Sequence, residues 1–285
     1  MNFIDAARCF VTGIALFIPA CLFAAESKPN ILLILADDVG SDAIGCYGGR
    51  SYPTPHIDAL AKGGMKFNHA YAMPVCHPTR VCLMTGRYPF RFGKAGSKWG
   101  DFPRDAEGIT IGNRMQQAGY ATAVAGKWQL CMMKNDKQHP SRVGFDEWCL
   151  FGWHEGGRYH HPLIYQNGSL RDDASSLYGP EVYADFLIDF MKRSHKAGKP
   201  FFAYYPMALC HDVTDDLKDE HVAYYKYGRW MTYGEMIASM DDMVGKVVAS
   251  LNEMGVRDNT LIIFTTDNGT PAASYLTVNE NGKMV

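Results

Sequence analysis

Four short runs of consecutive apolar residues are distributed along the chain. The runs are Ile31–Ala36, Ala121–Ala125, Phe201–Tyr205 and Leu261–Thr265. Unbroken apolar runs of this length are typical of parallel strands that are covered on both faces, whereas half-exposed strands alternate apolar and polar residues. The pattern therefore predicts four buried strands that belong to one sheet.

Two stretches between these runs carry apolar residues at the spacing of an amphipathic helix. The first stripe contains Val182, Tyr183, Phe186, Leu187, Phe190 and Met191. The second contains Ile237, Met240, Val244, Val247, Val248 and Leu251. We expect the aromatic and methionine side chains of both stripes in the core rather than against a cofactor. Strands that alternate with helices predict an α/β fold, with a mainly parallel central sheet and helices on both faces.

Polar residues follow all four predicted strands. They are Asp37-Asp38 after the first strand, Gly126-Lys127-Trp128 after the second, His211-Asp212 after the third and Asp267-Asn268-Gly269 after the last. Ligands of open α/β sheets bind beyond the carboxyl ends of the strands. The sequence therefore predicts one site at this edge, where carboxylate, amide, amine and imidazole groups meet.

The first and last of these polar pairs supply a set of hard oxygen donors. The donors are Asp37, Asp38, Asp267 and Asn268. The sequence places no thiol or imidazole cluster at the spacing of a zinc site among them, and oxygen donors suit Ca²⁺ or Mg²⁺ better than zinc. We expect a bound divalent cation of one of these two kinds.

The overall composition is that of a soluble, enzyme-sized domain. The 285 residues are 47% hydrophobic and 13% aromatic, so a large core can form. The formal net charge of -2 favours neither nucleic acid nor an anionic membrane as a partner. The irregular spacing of the cysteines predicts no disulfide framework.

The first 25 residues differ from the rest of the chain. An apolar run covers residues 10–25 and contains Pro19. Such a run is short for a membrane span and typical of a secretory signal peptide. We therefore expect residues 1–25 to be a signal peptide and the protein to be exported, either to the periplasm or to the medium. The segment Ile18–Cys21 also resembles a weak lipoprotein box, so a lipid anchor at Cys21 is the alternative.

The stretch Cys76-His77-Pro78-Thr79-Arg80 has the spacing of a reactive centre rather than of a packing element. A cysteine two residues before a proline and four before an arginine arises by chance on the order of once in several thousand positions. A lone cysteine is most often a buried structural residue, but this one stands in order with the polar residues above. The pentapeptide resembles the signature of the formylglycine-dependent sulfatases, in the alkaline phosphatase-like superfamily. The resemblance extends from Lys28 to about Gly269.

The resemblance implies an unusual nucleophile. In that family a dedicated maturation enzyme oxidises the motif cysteine to formylglycine, whose aldehyde hydrates to a geminal diol. One hydroxyl attacks sulfur and displaces the alcohol, and the other then loses its proton and expels sulfate as the aldehyde re-forms. By resemblance, Cys76 is the precursor of this nucleophile and Pro78 and Arg80 are read by the maturation enzyme. Arg80 would also hold the formylglycine side chain.

The resemblance also assigns the cation and the charged residues around it. It implies Ca²⁺ ahead of Mg²⁺. The implied ligands are Asp37, Asp38, Asp267, Asn268 and the modified Cys76. Lys127 matches a sulfate-binding lysine of the family, and His211 matches a histidine that contacts the sulfate and protonates the leaving alcohol. Fixed cations at such a place stabilise the charge that develops on the ester oxygens.

The chain departs from the family pattern after Gly126-Lys127-Trp128. The family usually has a histidine there, which assists the collapse of the sulfated intermediate, but this chain has Gln129. An amide can orient the diol but cannot take a proton. Either a neighbouring histidine therefore replaces it, or turnover is slow. The candidates for replacement are His154, His160 and His161.

A second departure concerns the end of the sequence. Family members continue to a second sulfate-binding lysine and a small C-terminal subdomain, whereas this chain stops at Val285. Lys283 is a poorly placed substitute for that lysine. We therefore expect a partial sequence, in which residues 26–285 form an incomplete sulfatase catalytic domain.

The stretch from Trp148 to Tyr165 bears on the substrate. It is rich in residues that can contact sugars, among them Trp153, His154, Arg158, Tyr159, His160 and His161. These side chains either stack on sugar rings and bind additional sulfates, or form a loop packed on the protein. The first arrangement favours a sulfated carbohydrate over a small aryl sulfate. Two other functions stay open: a phosphodiester or phosphonate monoester hydrolase of the same superfamily, and a non-catalytic protein that binds sulfated glycans.

Overall fold

A computed structural model describes residues 28–92, 100–152, 155–211 and 233–271. Several sequence-based expectations lie outside these ranges. They are the signal peptide with Cys21, the residues Trp153, His154 and Asp212, and Lys283. None of the helices within the described ranges is long and apolar enough to cross a membrane.

The described residues contain one seven-stranded sheet. Its strands are β1 (Asn30–Ala36), β2 (Ala121–Lys127), β3 (Glu147–Phe151), β4 (Ile164–Gln166), β5 (Ser169–Leu170), β6 (Phe201–Pro206) and β7 (Thr260–Thr266). The order across the sheet is β5-β4-β3-β2-β6-β1-β7. Neighbouring strands are parallel along the part of this order that reads β3-β2-β6-β1-β7. At the other edge, β4 pairs with β3 and β5 pairs with β4 in antiparallel orientation. All four strands predicted from the apolar runs are confirmed, as β1, β2, β6 and β7.

Six α-helices lie in the described ranges. They are α1 (Pro55–Lys62), α2 (Cys76–Thr85), α3 (Ile111–Gln117), α4 (His139–Arg142), α5 (Gly179–Lys196) and α6 (Tyr233–Glu253). The two predicted amphipathic stripes are confirmed on α5 and α6. On α5, Tyr183, Leu187 and Met191 are buried. On α6, Met240 and Val244 face the same core.

The two faces of the sheet bury two separate cores. Along β1, Leu32 and Ile34 pack in one core with residues of α5 and α6. The alternate residues Leu33 and Leu35 pack in the other core with Val81 of α2. Because successive side chains of a strand point to opposite faces, this division confirms the prediction of helices on both faces of a mainly parallel sheet.

The stretch from Trp148 to Tyr165 differs from the expectation that it stacks on sugars. Its first part is β3, which lies inside the sheet between β2 and β4. Arg158 and Tyr159 are each only 1% exposed. Side chains buried to this extent have no free face for a sugar ring, so the alternative of a segment packed on the protein is correct for these two residues.

Candidate active site

Asp37 and Asp267 lie side by side because β1 and β7 are parallel neighbours that end together. Ala36 pairs with Thr266 in the register of the sheet, and the Asp267 amide donates a hydrogen bond of 3.0 Å to the Ala36 carbonyl. Both carboxyl side chains are completely buried. The predicted meeting of strand ends is confirmed at this point.

Asp38 and Asn268 extend this acidic edge. Asp38 has a left-handed backbone conformation with φ of 57°, and its amide donates to Asp267 Oδ1 over 3.2 Å. Asn268 Nδ2 donates to Asp38 Oδ1 over 2.6 Å. Asp38 is therefore held from two sides by the same end of β7.

Cys76 is the first residue of α2 and lies next to the two buried carboxyls. Its side chain is 5% exposed, and its Sγ and one oxygen each of Asp37 and Asp267 all lie within 4.8 Å of one another. The hydroxyl of Thr79, one turn along α2, donates to the Asp267 carbonyl over 2.7 Å. The start of the helix is therefore fixed to the end of β7.

Two buried cations face these carboxylates. Arg80 donates from Nε and Nη2 to Asp267 Oδ2 over 3.0 Å and 2.7 Å, and from Nη1 to the Lys127 carbonyl over 3.1 Å. Lys127 Nζ donates to Asp37 Oδ2 over 2.6 Å, and both side chains are completely buried. Arg80 and Lys127 thus lie where the sequence places them, and in this structure their hydrogen bonds join them to acidic residues and to each other.

Gly126 lets β2 approach the neighbouring strand β6 closely. Its φ is 124°, and a Cβ at this position would lie 2.0 Å from the Pro206 carbonyl oxygen. A side chain there would push β2 away and displace Lys127, the next residue. The glycine therefore fixes the position of the Lys127 side chain.

The carboxyl groups of this cluster ionise unequally. Burial by itself would raise the pKa of Asp37, but the surrounding positive charges, first that of Lys127, outweigh it and hold this pKa well below the usual range. Burial and the negative charge of Asp37 raise the pKa of Asp267 to about 7. Burial and the same charge raise the pKa of Asp38. Crowded carboxyls that oppose one another's ionisation favour an added cation.

His211 lies at the edge of this cluster, five residues beyond the end of β6. It is 9% exposed, and its Nε2 is 3.8 Å from Asp38 Oδ2. The loop that carries it is bonded to the backbone of Asp37: the Asp37 amide donates to the Leu209 carbonyl over 2.8 Å, and the Cys210 amide donates to the Asp37 carbonyl over 2.6 Å. The structure therefore brings the imidazole to the acidic edge, as the sequence predicts.

Gln129 is completely buried and has a φ of 55°. Neither its side-chain oxygen nor its nitrogen has a hydrogen-bond partner in the described part of the chain. Its backbone carbonyl accepts a hydrogen bond of 2.8 Å from His77 Nδ1. From the sequence, His77 was not identified as a residue that holds the Gln129 backbone, although His77 directly follows Cys76.

The two described histidines proposed as substitutes for the family histidine contact the segment before α5. The ring centroid of His160 lies 5.0 Å from that of Tyr178. His161 Nδ1 donates to the Ser175 carbonyl. Neither of these contacts involves Gln129.

The donor set fits a divalent cation. Asp37, Cys76 and Asp267 form a group that could hold a metal ion. Asp37 Oδ1 and Asn268 Oδ1 are buried and accept no hydrogen bond among the described residues, although Arg80 Nη2 lies 3.6 Å from Asp37 Oδ1. A buried oxygen without a partner is costly, and coordination by a hard cation would satisfy it.

A family model described as "Sulfatase" matches residues 29–282. The chain belongs to the sulfatase family. Its motif Cys76–Arg80 and both polar pairs of the acidic edge lie within the matched range.

Two curated sulfatases and one solved structure show the extent of the similarity. Human N-acetylgalactosamine-6-sulfatase is 32% identical over 289 residues, which cover 90% of this chain and 52% of the relative. Human arylsulfatase A is 31% identical over 275 residues, covering 86% and 53%. The crystal structure of Ps i-CgsB in complex with k-i-k-neocarrahexaose has a TM-score of 0.71 at 30% identity, covering 87% and 60%. The chain thus spans about half the length of the curated relatives that it matches.

The buried His139 forms a hydrogen bond with Trp128, the residue between Lys127 and Gln129. Trp128 Nε1 donates to His139 Nδ1 over 3.1 Å. Because Nδ1 accepts this hydrogen bond, it carries no proton and the imidazole is in its neutral form. Burial lowers the pKa of His139 to about 4, although Glu107, at 3.9 Å from Nε2, opposes this. The neutral form is therefore the one that this contact in the folded protein needs.

The fold should lose stability when His139 is forced to take a proton. The pKa is about 4 in the folded state and about 6.5 in the unfolded chain. The contribution of neutral His139 to the free energy of unfolding is fully present above pH about 6.5. It is lost as the pH falls toward 4, because the unfolded state then binds more protons than the folded state. Between pH 7 and 5 we expect this residue to cost about 2 kcal/mol of unfolding free energy.

Urea denaturation across this pH range checks the expectation. The control is His139→Asn, whose amide oxygen can accept from Trp128 and does not titrate. The difference in unfolding free energy between pH 7 and 5 should be smaller in this variant. Identical pH dependence in both proteins would show that His139 does not take part.

Proposed function

We propose that this protein is a sulfuric ester hydrolase that releases sulfate from a sulfated carbohydrate. The observation that carries the proposal is the buried group of Cys76, Asp37 and Asp267, with Arg80 and Lys127 bonded to it at the carboxyl edge of the sheet. The similar proteins support the substrate class, since one is an N-acetylgalactosamine-6-sulfatase and another is crystallised with a neocarrahexaose.

We further propose that residues 26–285 belong to the catalytic domain and that residues 1–25 direct export. The cation would be Ca²⁺ rather than Mg²⁺, held by Asp37, Asp38, Asp267, Asn268 and residue 76. When present, formylglycine derived from Cys76 supplies a hydrated aldehyde as the nucleophile, and the cation stabilises its negative charge. A maturation enzyme that recognises Pro78 and Arg80 would be a partner of the newly made chain.

The fixed cations of the chain act on the sulfate group. A sulfate ester is an anion, and negative charge grows on its bridging oxygen as the S–O bond breaks. The Lys127 ammonium, buried beside Asp37, is the group we assign to binding sulfate. Arg80 donates to Asp267 and to the Lys127 carbonyl, so we assign it to holding both residues in place as well as the side chain of residue 76.

His211 is the group we assign to protonating the leaving alcohol. Its Nε2 lies 3.8 Å from Asp38 Oδ2, which places the imidazole at the edge of the acidic cluster, and a positioned histidine is the side chain that most often transfers a proton to a reacting oxygen. The proton moves to the bridging oxygen as the alcohol leaves.

Gln129 is the group we assign to orienting the hydrated nucleophile. An amide in this position should let the alcohol leave faster than sulfate is released, giving a burst of alcohol followed by a slow steady state. Gln129→His should raise the steady rate by about one to two orders of magnitude, which is within the reach of one acid-base group. Rapid-quench kinetics measures both phases.

The control for this experiment is Gln129→Met, which keeps the approximate length of the side chain and cannot take a proton. A steady rate that is unchanged or lower in Gln129→His would show that Gln129 serves packing or specificity. His154, His160 and His161 would then be replaced in turn to find the base.

The proposed function is tested by measuring sulfate release from a panel of substrates. The protein is made together with a formylglycine-generating enzyme and incubated with galactosamine 6-sulfate saccharides, carrageenan oligosaccharides, 4-nitrophenyl sulfate, a phosphodiester and a phosphonate monoester. Ion chromatography should detect sulfate from a saccharide, and Cys76→Ala should release none.

Other outcomes would favour the competing functions. Faster turnover of the phosphodiester or phosphonate than of any sulfate ester would identify a phosphorus-directed hydrolase. Retention of a sulfated glycan on the protein with no sulfate release, despite complete maturation, would identify a binding protein, to which the amide of Gln129 would point.

A further inference from the structure

Tyr159 connects the segment between β3 and β4 to the loop of His211. Its ring is 1% exposed and packs in the core that also contains α5 and α6. Its hydroxyl lies 2.8 Å from the Ala208 carbonyl oxygen and 2.5 Å from the His211 carbonyl oxygen, and donates toward both. The Tyr159 side chain therefore contacts both Ala208 and His211, the first and last residues of the turn that ends the loop.

The loop needs such a support because it follows β6 without belonging to a helix or strand. On one side its backbone is bonded to Asp37, through the carbonyl of Leu209 and the amide of Cys210. These bonds end before residue 211. At residue 211 the backbone amide donates to the Ala208 carbonyl over 3.3 Å, and the Tyr159 hydroxyl donates to the His211 carbonyl.

Tyr159 is itself firmly placed. The Gly179 amide, at the start of α5, donates to the Tyr159 carbonyl over 2.7 Å. The neighbouring Arg158 guanidinium lies 5.2 Å from the centroid of the Phe151 ring, at the end of β3. The backbone at Tyr159 is thus bonded to the start of α5 and its neighbour Arg158 contacts the end of β3, so the buried ring projects its hydroxyl toward the His211 loop from a fixed base.

We propose that Tyr159 is a positioning residue that holds His211 at the place where its imidazole can give a proton to the leaving alcohol. The inference rests on the proposed function, since it concerns one step of sulfate ester cleavage. In that step the nucleophile at residue 76 forms a bond to sulfur and the bond between sulfur and the bridging oxygen breaks. The imidazolium proton of His211 moves to that oxygen, so that the alcohol leaves uncharged. Displacement of an acid by about 1 Å can cost on the order of 100-fold in rate.

A double-mutant cycle separates positioning of His211 from a general structural role. Tyr159→Phe keeps the ring and removes the hydroxyl. It should lower kcat about tenfold or more on the saccharide sulfate that the wild type cleaves, with little change in KM. In the His211→Ala background the same substitution should change kcat by less than about twofold, because the group that it positions is gone.

Tyr205→Phe is the matched control. Tyr205 is equally buried, and its hydroxyl also donates to a backbone carbonyl, that of Pro180, over 3.2 Å. We expect its kcat to stay within about twofold of wild type. Equal losses in both backgrounds of the cycle would overturn the proposal for Tyr159, as would equal losses in Tyr159→Phe and Tyr205→Phe.

Two further results keep the interpretation unambiguous. If Tyr159→Phe does not fold, 4-aminophenylalanine is placed at position 159, because it keeps an N–H donor where the hydroxyl was. Its kcat should lie within about threefold of the wild-type value. A tenfold lower kcat would contradict the proposal. Absence of sulfate release by the matured wild type would contradict the proposed function, and this inference with it. Wild-type activity with an additive cycle contradicts the inference alone.

Discussion

Replacing Asp38 by alanine is expected to remove both the bound Ca²⁺ and the hydrolysis of sulfate esters. Asp38 brings a carboxylate to the cluster and is bonded to the Asp267 carboxylate and the Asn268 amide. Its loss should weaken Ca²⁺ binding by more than about 100-fold, since even residues that only orient metal ligands are worth 10- to 100-fold in affinity. Calorimetric titration with Ca²⁺, together with elemental analysis of the purified protein, measures this directly.

The same cation should stabilise the fold. A ligand that binds only the native state adds about 2.7 kcal/mol at a concentration 100 times its dissociation constant. Chelation should therefore lower the melting temperature of the wild type and leave that of Asp38→Ala unchanged. Asp242→Ala, which removes an exposed carboxylate of α6, is the control and should keep both the metal and the activity.

The metal assignment fails under either of two results. One is zinc in the purified protein in place of Ca²⁺ or Mg²⁺. The other is sulfate release that persists in a protein free of metal. Neither result is compatible with a nucleophile that depends on a cation held by Asp37 and Asp267.

Cys76→Ala is expected to abolish turnover and to leave the fold intact. The cysteine begins α2 and its small side chain adds little to either core, so the melting temperature should change by only a few degrees. Loss of the group that we propose as the precursor of the nucleophile should lower kcat by at least about 10⁴-fold. Steady-state assays and thermal melts of the same preparations provide both numbers.

The chain offers a close control for this variant. Cys82 lies on the same helix, six residues later, and is half-buried. Cys82→Ala should keep its activity. Turnover by Cys76→Ala above the background of the host, or an equal loss in Cys82→Ala, would remove Cys76 from the mechanism.

The sequence alone was sufficient to predict the elements that place the site. The unbroken apolar runs of β1 and β7 identify strands covered on both faces, and the polar residues that follow must meet when such strands are parallel neighbours. Asp37 and Asp267 meet in this way. Cys76 was identified by motif and not by periodicity, because a helix start has no repeating pattern.

Contacts between distant residues could not be predicted from spacing. Arg80 donates to Asp267, which is 187 positions away, and Tyr159 to the His211 carbonyl, which is 52 positions away. From the sequence, the residues of β3 were expected to belong to an aromatic surface segment, because polar residues and glycines surround them. Only pairing with β2 shows that Trp148 and Leu150 are buried.

Mass spectrometry of the peptide that contains Cys76 tests the central claim most directly. Trypsin should release residues 67–80, with Cys76, separately from residues 81–87, with Cys82. In protein made with a maturation enzyme, the first peptide should weigh about 18 Da less than its cysteine form, because an aldehyde replaces CH₂SH, while the second keeps its thiol. An active preparation in which Cys76 is unmodified would contradict the account.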